Sequence, residues 1–258
     1  MAAEMTDNAT GAGPYGRATI LGIRIDRLDM ASAVGVVRRF LNSGKPHMVV
    51  TADSAGLALA QSDVELRQIM LSADLVTPDS SGLLLGARLM GTPLIERVSG
   101  IDLAQEICKI CAETGDSIYL LGAAPGIAES AAQNLAAKYP NLKIAGTHDG
   151  YFSDDAPVVE EIKKSGASVL FVAMGIPKQE KWIAAHLQAL GVSLAIGLGG
   201  SFDVFSGQVK RAPAWMRNHG FEWLHRLISN PRKISKVAHL PRFAIMVLAE
   251  RLGLRSGK

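Results

Sequence analysis

The sequence predicts an α/β fold, a parallel or mixed sheet flanked by helices, with a helical and basic C-terminal appendage. Two observations carry this prediction. Short β-like runs alternate with helical periodicity over most of the 258 residues, which is typical of strands joined by helices. Beyond residue 213 the β-like runs stop, and helical stretches broken by Pro231 and Pro241 follow. We therefore expect a Rossmann-like core and an added helical part.

The individual elements follow from the periodicity of the apolar residues. Predicted strands lie at residues 19–25, 48–51, 74–77, 117–121, 143–146, 168–173 and 193–196. Helical periodicity fills the gaps, for instance at residues 31–41, 101–113, 127–139 and 179–190. A chain of this length with 48% hydrophobic residues can bury a sizeable core.

Composition divides the chain into three parts. We expect residues 1–16 to be a disordered leader, residues 17–206 to form the α/β core, and residues 207–258 to form the appendage. The appendage has 11 lysines and arginines against two glutamates, a net charge of +9. The remaining residues include 16 basic and 22 acidic side chains, a net charge of −6. This asymmetry points to a polyanionic partner such as a phospholipid surface or a diphosphate.

The appendage ends in a segment suited to a membrane surface. Residues 242–252 place an apolar stretch between basic ends, so this helix can lie in the headgroup layer. The alternative is a helix docked on the core with its charges in solvent. No apolar run approaches the roughly 18 residues that span a bilayer, and we expect no secretion signal. Nucleic acid is not an expected partner, because no recognised nucleic-acid motif accompanies the charge.

Two glycine patterns and one cysteine pattern need interpretation. The G-x-G-x-x-G pattern that begins at Gly11 lies in the leader, without the preceding strand that a dinucleotide site requires, so it is interpreted as accidental. Gly122 follows a predicted strand and precedes a helix whose N-terminus can bind an anion, although a plain tight turn is the alternative. Cys108 and Cys111 lie within a helical pattern, which favours buried residues over a redox or zinc site.

Acidic residues follow three predicted strands. Asp53 and Asp79 each come shortly after a strand end, where a carboxylate can act as a general base. Capping of the next helix is the alternative for both residues. Asp203 follows a second glycine-rich strand end and is a candidate hydrogen-bond acceptor for a ligand. Ligands of open α/β sheets bind at the carboxyl ends of strands, where we expect these residues to lie.

Other polar residues are weaker candidates. Lys178 and Gln179 stand in the first turn of a predicted helix, where they can reach a ligand or simply face solvent. His148 and Asp149 can be catalytic in principle, but no serine or cysteine elbow accompanies them. We predict no metal site, because the chain has neither histidines at ligand spacing nor an Asp-x-Asp pair.

The ordered motifs resemble those of the WecG/TagA/CpsF family, glycosyltransferase family 26, from about residue 20 to residue 232. They are T-A-D at 51–53, T-P-D at 77–79, E-R-V-S-G at 96–100, L-L-G-A-A-P-G at 120–126, G-T-H-D-G-Y-F at 146–152, G-I-P-K-Q-E at 175–180, I-G-L-G-G-S-F-D at 196–203, R-A-P-x-W at 211–215 and E-W-L-H-R-L at 222–227. The number and order of these motifs make the resemblance specific.

The resemblance implies an inverting, metal-independent transferase without a cofactor. Such enzymes move an N-acetylhexosamine, commonly N-acetylmannosamine or its uronic acid, from a UDP-sugar donor to undecaprenyl-diphosphate-linked N-acetylglucosamine. The implied setting is teichoic acid or other cell-surface polysaccharide synthesis at the cytoplasmic, inner face of a bacterial membrane. The enzyme is expected to be peripheral there through residues 207–258, and a homo-oligomer is left open.

The resemblance also assigns residues. The expected catalytic residues are Asp79, Thr51, Arg97 and Gln179, and the expected substrate-binding residues are Asp53, Gly122, Tyr151, Asp203 and Arg226. Asp79 is the expected base that deprotonates the acceptor hydroxyl. Tyr151 and Asp203 match positions near the nucleotide, and Arg226 matches a basic position of the appendage.

The chain departs from the family pattern beside the reaction centre. Asp53 stands where the family usually has Asn, and Ser80 where it usually has Gly, so the donor or acceptor can differ from the commonest pair. Lys233 and Lys236 replace arginines, which removes the planar fork suited to a diphosphate. The alternatives are a family member that uses another UDP-hexose or UDP-hexuronic acid, an NAD(P)-dependent oxidoreductase, and a non-enzymatic lipid-headgroup or nucleic-acid binder.

Overall fold

The computed structural model describes residues 15–213, 215–216 and 239–254. Within these residues a six-stranded parallel sheet is covered by helices on both faces, which confirms the predicted α/β class. The leader predicted for residues 1–16 lies outside the described residues except for Tyr15 and Gly16. Of the appendage, residues 214, 217–238 and 255–258 lie outside them as well.

The first predicted strand is wrong in one respect, because residues 19–25 belong to two strands. These are β1 (Arg17–Ile20) and β2 (Ile23–Asp26), which pair antiparallel. The chain reverses at Leu21 and Gly22, whose φ angles are +52° and +71°, and the left-handed region suits a glycine there. Asp26 then accepts hydrogen bonds from Arg17 Nε (2.9 Å) and from the backbone N–H of Val76 (2.9 Å), so the hairpin is fixed to the main sheet.

The main sheet confirms the other six predicted strands. They are β3 (His47–Ala52), β4 (Leu75–Pro78), β5 (Ser117–Gly122), β6 (Lys143–His148), β7 (Val169–Ala173) and β8 (Leu194–Gly197). Their order across the sheet is β4-β3-β8-β7-β5-β6, and every pair is parallel. All six carboxyl ends therefore meet at one edge of the sheet.

The helices fill the predicted gaps. They are α1 (Met30–Leu41), α2 (Ser54–Leu59), α3 (Val64–Ser72), α4 (Ser81–Leu89), α5 (Gly100–Thr114), α6 (Ile127–Lys138), α7 (Asp155–Ser165), α8 (Lys178–His186), α9 (Ser201–Phe205) and α10 (His239–Arg251). The four helices predicted by name, α1, α5, α6 and α8, are confirmed. Helix α8 ends four residues earlier than predicted, in a turn that precedes Gly191 with its φ of +73°.

Two hydrophobic cores lie on opposite faces of the sheet. The hairpin, α2, α3, α4, α7, α8 and α10 cover one face, and α1, α5, α6 and α9 cover the other. The strands alternate between them, so that Tyr119 and Leu121 point to the first core and Ile118 and Leu120 to the second. Cys108 and Cys111, both free and on α5, are part of the second core. Burial raises the pKa of both thiols, which supports their interpretation as structural residues.

Helix α10 packs against α2 and α4 through one face. Phe243 and Val247 are almost fully buried there, and the Cβ of an alanine at Gly86 would lie 3.0 Å from the Phe243 ring. The opposite side exposes Ile245 and Leu248 on α10 and Leu252 in the turn directly after it. The end of the described chain is thus docked on the core while an apolar stripe faces outward.

Candidate functional site

The carboxyl edge of β3 and β4 brings several predicted residues together. Asp53 follows β3 and Asp79 follows β4, and the backbone N–H of Asp79 donates to the Ala52 carbonyl at 2.8 Å. Arg97 joins them because its neighbour Val98 donates a backbone hydrogen bond to the Pro78 carbonyl at 2.9 Å. Three residues distant in the sequence therefore share one corner, which we call the acidic corner.

Asp53 and Asp79 differ in how they meet the next helix. Asp53 Oδ1 accepts from the Gly56 backbone N–H at 2.7 Å and caps α2, so the capping interpretation is confirmed for this residue. At α4 the cap is Ser80, whose Oγ accepts from the Leu83 N–H at 3.2 Å. Capping of α4 by Asp79 is therefore wrong, and its half-buried carboxylate remains the candidate base.

Ser80 also joins the two helix starts, a role that the sequence analysis missed. Its Oγ lies 3.0 Å from Ser54 Oγ and accepts from the Ser54 N–H at 3.2 Å. Ser54 is 1% exposed, so its hydroxyl is shielded from water. Because Ser54 and Ser80 directly follow Asp53 and Asp79, the pair fixes the spacing of the two carboxylates.

Thr51 lies on β3 and reaches the neighbouring strand β8. Its Oγ1 donates to the Gly197 carbonyl at 2.9 Å, and its methyl group would lie 2.9 Å from a Cβ at Gly100. Only a residue without a side chain fits at Gly100, so the start of α5 packs directly on Thr51. The threonine thereby connects the acidic corner to the centre of the sheet.

Gln179 and Glu180 occupy the first turn of α8 and are 3% and 1% exposed. Gln179 Oε1 accepts two backbone hydrogen bonds, from Gly175 at 3.1 Å and from Gly199 at 2.9 Å. Gln179 Nε2 donates to Glu180 Oε1 at 2.8 Å. Burial raises the pKa of Glu180 to about 7, and the charge of Asp53 acts in the same direction. Glu180 belongs to the G-I-P-K-Q-E motif at 175–180, but the local pattern does not indicate its burial.

A cleft of about 780 Å³ opens beside Gln179 and Glu180, at the carboxyl ends of β5, β6 and β7. Its lining includes Ala123, Ala124, Tyr151, Met174, Lys178 and Asp203. Tyr151 is 77% exposed, and its backbone N–H donates to Asp149 Oδ1 at 2.7 Å. Asp149 therefore shapes the loop that presents Tyr151. The predicted Tyr151 and Asp203 do lie together in one cleft.

Lys178 and Gly122 have defined places at this cleft. Lys178 Nζ donates to the Gly150 carbonyl at 3.1 Å and lies 5.3 Å from the centre of the Phe152 ring. Gly122 has a φ of +122°, and a Cβ there would approach the Ala173 backbone to 2.6 Å. Its lack of a side chain lets β5 and β7 end side by side under the cleft.

The predicted residues fall into two groups along the sheet edge. Thr51, Asp53, Asp79 and Arg97 lie at or beside the acidic corner, Gly122, Tyr151 and Asp203 lie at the cleft, and Gln179 lies between the two. Arg226, Lys233 and Lys236 lie outside the described residues. Among residues 15–213, 215–216 and 239–254, no group of three or more His, Cys, Asp or Glu side chains could hold a metal ion. No helix in these ranges has the length and apolar character to cross a bilayer.

Comparison with known proteins identifies the family to which the chain is similar. Residues 18–257 match the family described as Glycosyl transferase WecG/TagA/CpsF family, which confirms the resemblance inferred from the motifs. Three similar curated proteins are each named N-acetylglucosaminyldiphosphoundecaprenol N-acetyl-beta-D-mannosaminyltransferase. That of Bacillus subtilis (strain 168) is 33% identical over 233 residues, 90% of this chain and 91% of the relative. Those of Bacillus spizizenii (strain W23) and Staphylococcus aureus (strain MW2) are 32% and 30% identical, covering 81% and 93% of this chain and 81% and 95% of the relatives.

Proposed function

Because the chain belongs to the WecG/TagA/CpsF family of glycosyltransferases, we propose that it moves N-acetylmannosamine, or its uronic acid, from UDP to a lipid-linked acceptor. The proposed acceptor is N-acetylglucosamine on undecaprenyl diphosphate. The curated relatives are named for transfer of N-acetyl-β-D-mannosamine to that acceptor. The product serves the synthesis of teichoic acid or another cell-surface polysaccharide.

The position of Asp79 is the observation that carries this proposal. It lies at the carboxyl edge of the sheet, in the acidic corner with Arg97, while Ser80 takes the capping role at α4. As general base, Asp79 takes the proton of the acceptor hydroxyl while that oxygen attacks the anomeric carbon. The bond from this carbon to the UDP oxygen breaks, its electron pair leaves with UDP, and the anomeric configuration inverts.

The cleft supports the binding of the UDP-sugar donor. Its volume of about 780 Å³ lies within the usual range of ligand sites. Tyr151 offers an exposed ring on which a base can stack. Helix α6 begins just beyond Ala123 and Ala124, and Gly126 caps it without a side chain, so its N-terminal N–H groups suit a diphosphate. Lys178 adds a positive charge at the same cleft.

These groups can balance the charge of departing UDP without a bound ion, so we propose that transfer is independent of metal and of any cofactor. The N-terminus of α6, Lys178 and Arg97 provide this positive potential. The basic appendage, which includes Arg226, is proposed to add to it.

We also propose that the enzyme works on the cytoplasmic surface of the bacterial membrane, where its lipid-linked acceptor is located. The outward side of α10 supports this, since Ile245, Leu248 and Leu252 are exposed next to the basic residues Arg242 and Arg251. Such a helix can bury its apolar side chains among lipid tails while arginines contact anionic headgroups.

The experiment is a transfer assay with several radiolabelled UDP-sugars and a synthetic lipid-diphosphate-linked N-acetylglucosamine, with and without EDTA. We expect N-acetylmannosamine or its uronic acid to enter the lipid product equally well in EDTA. Transfer of another hexose would contradict the proposed donor sugar but would still support a glycosyltransferase. Loss of activity in EDTA that Mg²⁺ or Mn²⁺ restores would contradict metal independence. Absence of transfer from every UDP-sugar would contradict the proposed function.

A further inference from the structure

The buried carboxyl of Glu180 lies between the acidic corner and the donor cleft. Gly197, at the end of β8, separates it from Thr51, whose hydroxyl donates to the Gly197 carbonyl. An added Cβ at Gly197 would lie 2.5 Å from Gln179 Nε2 and 3.1 Å from Glu180 Oε1. The end of β8 is therefore packed directly on the pair that Gln179 and Glu180 form.

The side-chain amide of Gln179 can make its three hydrogen bonds in only one orientation. Its Oε1 accepts from two backbone N–H groups, those of Gly175 and Gly199. A flipped amide would direct its NH₂ group at two donors, and three donors would then lack an acceptor in a buried place. Glu180 favours the same orientation, because its Oε1 accepts the hydrogen bond of Gln179 Nε2.

The two glycines held in this way lie in turns that carry the cleft lining. Gly175 follows Met174, and the turn at Gly199 leads into α9, which places Asp203. Both glycines have positive φ angles, +77° and +52°, so these turns are stabilised by specific hydrogen bonds rather than by regular secondary structure. We propose that Glu180 is a positioning residue that orients the Gln179 amide and thereby holds the Gly175 and Gly199 turns at the spacing the donor cleft requires.

The surroundings of the second carboxyl oxygen of Glu180, Oε2, are consistent with this role. Among the described residues Oε2 is buried and has no hydrogen-bond partner. A neutral carboxyl keeps its carbonyl oxygen as the acceptor for Gln179 and avoids an unpaired buried charge. Burial raises the pKa of Glu180, which accords with this, and the charge of Asp53 in the acidic corner acts in the same direction.

Hydrogen exchange in the ligand-free protein tests the positioning role directly. Glu180→Leu removes the acceptor at similar size, Glu180→Gln keeps a carbonyl acceptor, and Glu160→Gln on the exposed surface of α7 is the matched control. We expect Glu180→Leu to accelerate exchange of the Gly175 and Gly199 amides about tenfold, as for the loss of one hydrogen bond. Glu180→Gln should restore most of the protection. Unchanged exchange at both glycines in a folded Glu180→Leu protein would overturn the proposal.

A measurement on the unmodified protein decides the matter if Glu180→Leu does not fold. The side-chain amide signals of Gln179 in ¹⁵N spectra should shift with pH at the same midpoint as the infrared band of the Glu180 carboxylic acid. That band is identified by its loss in Glu180→Gln. Amide signals that stay constant while the carboxyl titrates would overturn the proposal.

The catalytic consequence rests on the proposed function. Glu180→Leu should raise KM for the UDP-sugar about fivefold or more while Glu180→Gln stays near the unmodified enzyme, since the donor cleft is what the turns shape. A normal KM in a Glu180→Leu enzyme would contradict the link to the cleft. If the unmodified protein transfers no sugar, the proposed function fails, whereas the exchange experiment still decides the role of Glu180.

Discussion

Asp53 and Asp79 follow neighbouring strands, and the residue after each one is a serine. The two serines have different roles. Ser80 caps α4 with its hydroxyl, whereas Ser54 is buried and α2 is capped by Asp53. The Asp53 carboxylate therefore caps a helix, whereas the Asp79 carboxylate lies at the acidic corner and caps none. This difference supports the proposal that Asp79 is the base.

Replacing Asp79 with asparagine should leave the fold intact and lower turnover at least about 100-fold, because the amide cannot accept the acceptor's proton. The measurement is the initial rate of sugar transfer by the purified variant, with its melting temperature as a check on folding. Asp116→Asn is the matched control, since Asp116 precedes β5 at the opposite edge of the sheet. Near-normal turnover of Asp79→Asn would remove this residue from the mechanism.

Glu180→Gln should stabilise the protein more at pH 8 than at pH 5. The folded-state pKa of Glu180, about 7, lies above the ordinary 4.5. The folded protein therefore loses stability as pH rises from about 4.5 to about 7, and the loss persists above this window. The full effect is on the order of 3 kcal/mol. Urea unfolding at both pH values measures it, with Glu160→Gln as control. An equal effect of Glu180→Gln at pH 5 and pH 8 would contradict the raised pKa.

At the scale of elements, glycines serve two distinct purposes. Gly122 ends β5 against the backbone of Ala173, where no side chain fits. Gly35 lies inside α1, where an added Cβ would come no closer than 3.9 Å to Arg39. The first glycine is required by the packing of neighbouring strands, whereas the second one only adds freedom to the unfolded chain.

Alanine at these two positions should therefore have opposite effects. Gly122→Ala should lower the free energy of unfolding by about 2 kcal/mol or more, because strands must move apart and φ is unfavourable. Gly35→Ala should raise it by up to about 1 kcal/mol through helix propensity. Both values follow from urea unfolding monitored by circular dichroism. A neutral Gly122→Ala would show that β5 and β7 tolerate separation at their ends.

At the scale of the whole molecule, α10 has one face on the core and one side outward. Phe243 and Val247 pack against the helix that follows Asp79, so the C-terminal region contributes to the core beside the acidic corner. The exposed stripe of Ile245, Leu248 and Leu252 has no such role in the core. Substitutions on this stripe can thus test the proposed membrane binding without disturbing the core, which removal of the whole helix cannot do.

Changing Ile245, Leu248 and Leu252 together to glutamine should abolish most co-sedimentation with anionic liposomes, since the apolar contribution to membrane binding is lost. Transfer to a water-soluble acceptor analogue should remain unchanged. Val64→Gln is the matched control, because Val64 is 72% exposed on α3. Undiminished liposome binding by the triple variant would show that α10 is not the membrane contact. Reduced soluble-acceptor turnover would show that the stripe also serves the active site.

Local pattern was enough to predict six strands of the main sheet, four helices and the residues at strand ends. Period-two and helical periodicities depend on neighbours in the chain, so they are readable without the fold. The hairpin was missed because Leu21 continues the apolar run through the turn. Ordered motifs also identified the family, which the match over residues 18–257 confirms.

The sequence by itself thus determined the fold class, the family and most of the residues proposed for the site. Only the tertiary structure decided which aspartate caps a helix, that Ser80 joins two helix starts, and that Glu180 is buried against Gly197. It also decided the strand order, which places Gln179 between the acidic corner and the cleft. The physical reason is that burial and hydrogen-bond partners depend on contacts between distant segments. These contacts arise when the strands align, and local pattern does not specify that order.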